Sequence, residues 1–325
     1  MSTRFPRGTP SRLGLAALAL LLLFVTGFGA MRANVLGIGD RFDRLASRVE
    51  TFLDPPPQRS TLPTVVVTPQ PSAVPPTAGP TPDPTREPSA TETPEPTPIP
   101  RERVDTAVIN DQASVFASQL TDKDCAVAAT QMVLAILGLG DTSEAFQQGI
   151  KDRIGEWEAY DDSQNGGWGP AAVGLALEAY GAADYEVRAY ETYADALRDS
   201  AIAITRFDKP VVMFPWWGAH SWVMTGYRAD ADPTLFDDAE ISGAYILDPW
   251  YPRVSSIWGP SDAPGNFEEL GELERNWPAY QGPPGYESIG PGWSRPEGAY
   301  PARDGRFVVL VPTTPRSPSA GGSAP

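Results

Sequence analysis

The chain has 325 residues and a formal net charge of −16, with a single cysteine and a single histidine. One cysteine excludes an intrachain disulfide, and one cysteine with one histidine cannot supply the four ligands of a structural zinc site. The acidic balance argues against nucleic acid as the main partner, because binding to phosphates needs a basic surface. We expect no metal site and no other cofactor.

The first thirty residues are typical of an export or membrane segment. Three arginines in residues 1–12 are followed by an uncharged run of 18 residues, 13–30. This run is long enough for a transmembrane anchor with a cytoplasmic N-terminus at 1–12. It also fits a cleaved signal peptide, because Gly27 and Gly29 are small residues before a potential cleavage site.

An amphipathic segment follows at residues 31–53, with apolar residues at the alternating spacing of a helical stripe. These apolar residues are Val35, Ile38, Phe42, Leu45, Val49 and Phe52. A membrane helix that continues into a helical stalk explains the pattern, so we expect a single-pass membrane protein with its C-terminal part outside. Secretion after signal cleavage is the alternative. A dimer through the stalk is possible, although the stripe covers fewer than three heptads.

Proline dominates the next segment, since residues 55–100 contain 16 of the 36 prolines. Proline fixes φ and removes a hydrogen-bond donor, so we expect 54–100 to be a disordered linker without helix or sheet. Fully extended, it would span on the order of 100 Å. A tail rich in Pro, Ser, Gly and Ala, 314–325, is also expected to be disordered. Residues 101–313 remain for one folded domain.

Helices precede strands in this domain. Apolar spacing and capping residues predict helices at 124–137, 143–157, 170–179 and 192–204. Runs rich in Val, Ile, Tyr, Phe and Trp predict strands at 210–215, 221–228, 243–247 and 307–311. A long insertion, 259–305, contains a short helical patch at 267–276. This order predicts an α+β domain with N-terminal helices packed on an antiparallel sheet.

Four residues in this domain could form a catalytic site. Cys125 lies where the first predicted helix begins, and the positive end of a helix favours a thiolate. His220 precedes a predicted strand and Asp248 follows the next one, which supplies a base and a group that orients it. Gln119 lies before the cysteine, where its amide and the Cys125 N–H could stabilise an oxyanion. A buried thiol and an ordinary turn are the plain alternatives, but the set in this order favours catalysis.

The cysteine segment resembles a motif of family thirty-nine cysteine peptidases, the type that processes bacteriocin leaders, and more closely that of their stand-alone extracellular relatives. The family's glutamine, four residues and an Asp-Cys pair are matched by Gln119, Asp124 and Cys125. The family commonly has glycine after the cysteine, whereas this chain has Ala126, whose methyl group would narrow the site.

The histidine and aspartate segments resemble the same family. Its Gly-x-His motif before an apolar strand is matched by Gly218, His220 and residues 223–227, and its Asp-Pro pair by Asp248 and Pro249. The similarity covers about residues 110–255, and the 259–305 insertion has no counterpart. The resemblance implies a papain-like fold and hydrolysis of peptide bonds by a Cys-His-Asp triad with a glutamine oxyanion hole. With no attached ATP-binding transporter, it does not imply leader cleavage.

Three tryptophans near these motifs, Trp168, Trp216 and Trp217, are predicted to line a cleft for a peptide or protein substrate, with core packing as the alternative. Two other functions stay open. The first is a cell-wall amidase or endopeptidase of the NlpC type, although such enzymes typically have Ser-Gly after Asp-Cys and no upstream glutamine. The second is a non-catalytic papain-like binding module carried on a stalk.

Overall fold

The computed structural model describes residues 62, 64–68, 99–157, 168–281 and 303–316. The three N-terminal predictions, at 1–12, 13–30 and 31–53, lie outside the described residues. Within the described ranges, no helix is both long and apolar enough to cross a membrane. All of the described residues belong to one unit, Gln58–Pro325, and the other unit, Met1–Pro57, lies outside them.

Helix α1 (Cys125–Leu137) confirms the prediction at 124–137, with Asp124 just before its first residue. It ends at Gly138, whose φ of 73° lies in the left-handed region that glycine adopts readily. Most of its small and apolar side chains are buried, because it packs against helix α4 (Pro170–Ala179) and strand β5 (Trp222–Ala229). Cys125 therefore begins a helix that is fixed in the core.

The segment 143–157, predicted as one helix, forms two, α2 (Glu144–Asp152) and α3 (Ile154–Trp157). At the break, the N–H of Arg153 donates to the carbonyl of Ile150 at 3.1 Å. This bond spans three residues, whereas the bonds of an α-helix span four, so the regular hydrogen bonding of α2 ends here. The prediction of a single helix is therefore wrong.

The described residues contain three further α-helices, α4, α5 and α6. α4 confirms the prediction at 170–179. α5 (Tyr193–Phe207) begins after Thr192, whose hydroxyl accepts from the Asp195 N–H at 3.1 Å, and it extends three residues past the predicted end. In the predicted patch 267–276, only the second part is helical, as α6 (Leu270–Asn276).

In the described part of the chain, eight strands form one sheet in the order β1-β3-β10-β4-β5-β6-β9, with β2 paired to β5. A two-stranded hairpin of β7 and β8 is separate. The strands are β1 (Thr64–Val67), β2 (Val104–Ala107), β3 (Tyr185–Tyr190), β4 (Val211–Met213), β5, β6 (Ile241–Leu247), β7 (Val254–Ser255), β8 (Gly259–Pro260), β9 (Phe267–Glu269) and β10 (Phe307–Pro312). Antiparallel pairs dominate, which confirms an α+β fold.

Strand β1 corrects the prediction that 54–100 forms no sheet. Its four residues pair in parallel with β3, and Arg303 Nε donates to Thr64 Oγ1 at 3.0 Å. The composition argument overlooked a Thr-Val-Val-Val run between prolines, whose residues have high β-propensity and suit a sheet edge. The sheet is therefore mixed rather than wholly antiparallel. β3, which was not predicted, also places a strand between α4 and α5, so the helices do not all precede the strands.

Two other segments are more ordered than the sequence suggests. In the 259–305 insertion, β9 pairs with β6 and extends the sheet, and Leu273, Trp277 and Tyr280 are buried. The tail 314–325 is described as far as Arg316, whose N–H donates to Phe207 O at 2.8 Å. The expectation of disorder is wrong for residues 314–316, because this contact ties them to the end of α5.

Candidate active site

The thiol of Cys125 is partly exposed at the first residue of α1. Its Sγ lies 4.0 Å from the carbonyl oxygen of Ala219, the residue before His220. The first N–H groups of a helix have no partner within the helix, so the backbone N–H of Cys125 is a donor that α1 itself does not use. The sulfur and this N–H thus lie together next to the backbone that carries the histidine.

His220 and Asp248 meet because they flank paired strands. His220 lies two residues before β5 and Asp248 directly follows β6, and the register pairs Val223 with Leu247. Nε2 of His220 is 2.7 Å from Oδ1 of Asp248, and both side chains are almost fully buried. The same Oδ1 accepts from the Trp250 N–H at 2.8 Å, which fixes the carboxylate.

The pKa of His220 is raised from 6.5 to about 9. Burial is the largest effect and lowers this pKa, but the charge and hydrogen bond of Asp248 outweigh it, and a hydrogen bond and charge from Cys125 add to the increase. Because Nε2 is bonded to Asp248, Nδ1 is the ring nitrogen left for the thiol. The arrangement favours an imidazolium beside Cys125 at neutral pH.

Gln119 is buried on the turn that enters α1. Its Nε2 donates one hydrogen to Thr121 O at 2.7 Å, and its backbone N–H donates to Pro249 O at 2.9 Å. A side-chain amide carries two N–H donors, so one remains on Nε2 after the bond to Thr121. Its Oε1 is buried without a hydrogen-bond partner among the described residues. Among the described residues no contact joins Gln119 to Cys125, so its place beside the thiol in an oxyanion hole stays a prediction.

Two further glutamines, which sequence reasoning missed, hold this turn. Gln147 of α2 accepts from the Leu120 N–H at 2.9 Å and donates to Ser118 O at 3.0 Å. It also donates to Oε1 of Gln131 at 2.7 Å, a buried contact between α2 and α1. Their only signal in the sequence is a polar residue on an apolar helix face, which does not identify the partner.

Arg253 clamps the same turn from the other side. Its guanidinium donates to the carbonyl oxygens of Gln119 at 3.0 Å and Leu120 at 3.2 Å, and it pairs with Asp122 at 2.6 Å. Arg253 lies five residues after Asp248, so a single loop orients the imidazole and supports the turn of Gln119.

Tryptophans surround one face of the imidazole. Trp216 stacks on His220 with ring centroids 4.0 Å apart, and Trp258 lies parallel to Trp216 at 5.9 Å. Trp217 lies 5.0 Å from Trp258 and is 38% exposed. Trp216 and Trp217 both have positive φ, 55° and 60°, which is a strained conformation for residues with a Cβ. Of these residues, Trp258 was not predicted.

Trp168 is not brought into this group. It is buried, and its ring lies 5.4 Å from the ring of Trp157 in an edge-on contact. No contact with Cys125, His220 or Asp248 is recorded within the described ranges. Its position matches the core-packing alternative rather than the predicted place in a cleft.

Comparisons with known proteins give a likeness to a solved structure. No protein-family model matches the chain, and no curated protein matches it. Among solved structures, the chain is similar to a double glycine motif protease from an AMS/PCAT transporter, crystallised in complex with the leader peptide. The identity is 16%, the match covers 61% of this chain and 91% of that chain, and the TM-score is 0.30. A likeness at this level decides nothing about the fold or the activity.

Proposed function

We propose that this chain is a papain-like cysteine peptidase that hydrolyses peptide bonds. One observation carries the proposal: Cys125 begins a buried helix beside a buried His220 whose Nε2 is 2.7 Å from Asp248 and whose pKa is raised to about 9. A nucleophile, a base and a group that orients the base are the parts that nucleophilic acyl transfer requires. In papain-like peptidases a Cys-His pair is completed by a third group in the same way.

The reaction follows from these positions. The thiolate of Cys125 attacks the carbonyl carbon of the scissile bond and forms a tetrahedral intermediate. The imidazolium of His220 then gives its proton to the leaving amine, which leaves an acyl-enzyme. His220 next takes a proton from water, whose oxygen attacks the acyl carbon, and the acid product and the free thiol are released. Asp248 keeps the ring oriented and stabilises its positive charge throughout.

An oxyanion hole is proposed at the backbone N–H of Cys125 and the remaining N–H of Gln119. Support for it is the free donor at the start of α1 and the turn held by Gln147 and Arg253. Donors fixed before the reaction stabilise developing charge more than mobile ones do. Trp216 and Trp217 are proposed to line the substrate cleft, which is supported by the stacking on His220 and the exposure of Trp217.

The test uses the full chain, in which Cys125 is the sole thiol. Wild type, Cys125→Ala and His220→Ala are incubated with a mixture of unstructured peptides, and new termini are identified by mass spectrometry. We expect cleavage by wild type and none by either variant. Absence of cleavage by wild type, with release of fragments from cell walls, would instead indicate the NlpC-type amidase. Peptide or glycan binding that survives in Cys125→Ala, with no hydrolysis by wild type, would indicate a binding module.

The location is also a proposal, based on the sequence alone. We propose that residues 13–30 anchor the chain in a membrane and that the folded domain, about 101–313 with β1, lies outside the cell. The arginine-flanked apolar run and the proline-rich spacer support it. A protease added to intact cells should remove the domain and leave the N-terminal segment in the membrane fraction. Recovery of the domain from the medium would indicate a cleaved signal instead.

A further inference from the structure

A cavity of about 20 Å³ adjoins Asp248. Its walls include three tryptophans, Trp216, Trp222 and Trp258, and besides Asp248 three further carboxyl residues, Asp262, Glu268 and Glu272. The two hydrogen bonds of the Asp248 side chain, from His220 and from the Trp250 N–H, both go to Oδ1. The other oxygen of this carboxylate therefore has no hydrogen-bond partner among the described side chains.

Glu268 is the unexplained group at this cavity. It lies on β9, where it pairs with Ala244 of β6, and it is only 4% exposed. Its Oε2 is buried and has no hydrogen-bond partner in the described structure. The indole N–H groups of Trp216 and Trp222 are buried and unpaired in the same way. Unpaired buried polar groups are costly, and the three residues that carry these groups line one cavity, so a polar occupant there would lower that cost.

One water molecule fits this cavity. A volume of about 10–15 Å³ on this scale is enough for a water with two to four polar partners. The indole N–H groups can only donate, a carboxylate can only accept, and a protonated carboxyl can donate. A water can accept from Glu268 or an indole and donate to Asp248, so it can join groups that make no direct hydrogen bond to each other among the described residues.

We propose that Glu268 is a positioning residue that carries a proton at neutral pH and, through one water in this cavity, steadies the unbonded oxygen of Asp248. The proposal rests on the proposed Cys125-His220-Asp248 chemistry and deepens it. A neutral Glu268 would add no negative charge beside Asp248 and, through the water, would complete the hydrogen bonds of that carboxylate.

The groups facing Glu268 favour the protonated form. Burial is the main cause that raises its pKa to about 8, and the negative charges of Glu272, Asp248 and Asp262 add to it. Arg275 acts in the opposite direction but less strongly. From α5, Tyr193 also faces Glu268, and its own pKa is raised, by burial first, so the phenol is neutral and adds no charge.

The direct test is carbon NMR of the full chain labelled at glutamate carboxyl carbons, titrated from acid to alkaline pH. We expect one glutamate to titrate near pH 8, and this resonance should be missing in Glu268→Gln. The matched control, Glu269→Gln, removes the exposed neighbouring carboxyl and should retain it. If no glutamate titrates above about pH 6, the proposal is wrong.

The positioning role is tested by the rate at which iodoacetamide alkylates Cys125 at pH 7. Glu268→Leu has no donor for the water, and loss of one hydrogen bond should slow alkylation about three- to tenfold. Glu268→Gln keeps a neutral donor and should restore the wild-type rate. If Glu268 had only a structural role, Glu268→Leu would remove an unpaired buried group. The free energy of unfolding would then rise, and the rate of Cys125 alkylation would not fall.

The two proposals fail differently. If His220→Ala is alkylated as fast as wild type, the Cys-His pair and the proposed function are wrong, whatever Glu268 does. If the pair is present but Glu268→Leu reacts as wild type, only the role of Glu268 is wrong.

Discussion

The charge of Asp248 should control the reactivity of Cys125, and Asp248→Asn tests this directly. Asparagine keeps a carbonyl oxygen that can accept from His220 Nε2 and from the Trp250 N–H, so the geometry is retained while the charge is lost. Burial alone lowers the pKa of His220, and Asp248 is the main group that raises it. Without the charge, the pKa of His220 should fall from about 9 to 6.5 or below.

This fall removes ~3 kcal/mol of preference for the imidazolium. At pH 7, an imidazole with the wild-type pKa is about 99% protonated, and one at 6.5 is about one quarter protonated. If burial holds the pKa a further unit lower, the protonated share is only about 3%. Alkylation that depends on the thiolate–imidazolium pair should therefore slow by about fourfold to about thirtyfold at pH 7.

The assay follows iodoacetamide labelling by intact mass from about pH 6 to pH 9, with the circular dichroism spectrum as a check on folding. The control Asp237→Asn makes the same change at a fully exposed carboxylate in the loop between β5 and β6, and it should leave the profile unchanged. If Asp248→Asn gives the wild-type profile at every pH, Asp248 does not tune the histidine and the electrostatic reasoning is refuted.

Three further predictions concern the turn of Gln119, two glycines within helices and the carboxyl group of Glu268. Arg253→Ala removes the hydrogen bonds that hold the turn of Gln119, so the rate of peptide hydrolysis should fall at least about tenfold. The rate of Cys125 alkylation should change little, since only hydrolysis needs an oxyanion hole. The control Arg275→Ala, at a surface ion pair, should change neither rate. Gly149→Ala should raise the unfolding free energy by ~0.5–1 kcal/mol, whereas Gly174→Ala should raise it less, because the new Cβ would clash with Leu62 Cδ1. Deletion of residues 1–68 should restore the gain for Gly174→Ala. An equal gain in the two full-length variants would argue against docking of residue 62. In denaturant titrations, Glu268→Gln should be more stable than wild type by a margin that grows from about pH 4.5 to about pH 8. The pKa of Glu268 is raised in the folded state, so wild type loses stability over this pH range while the variant does not. A constant margin would contradict the raised pKa.

Local signals account for the parts of the site that the sequence predicts. Cys125 follows an acidic residue at the start of an apolar helical run, and the run ends at Gly138, so the helix start can be located within one residue. His220 and Asp248 flank strands rich in β-branched and aromatic residues, and antiparallel pairing of consecutive strands brings such ends together. These features need no information from distant parts of the chain.

The features that the sequence does not predict depend on contacts between distant segments. β1 forms because it pairs with the edge of β3. An argument from composition misses it, because the many prolines around it hide four residues of high β-propensity. In the sequence, Glu268 looks like a surface residue next to Glu269. Its burial accompanies the pairing of β9 with β6, which the sequence does not reveal. Trp168 illustrates the reverse error, because closeness in sequence to the motifs suggested a place in the cleft and the fold packs it against Trp157.

The loop after β6 joins the two halves of the proposed mechanism. Asp248 orients the imidazole, Pro249 O accepts from the Gln119 N–H at 2.9 Å, and Arg253 holds the carbonyl oxygens of the same turn. A displacement of this loop would therefore disturb the base and the oxyanion donors together, although they lie on different elements. Asp248→Asn and Arg253→Ala should nevertheless have different effects. The charge of Asp248 acts on the Cys125–His220 pair, whereas the guanidinium of Arg253 acts on the turn of Gln119.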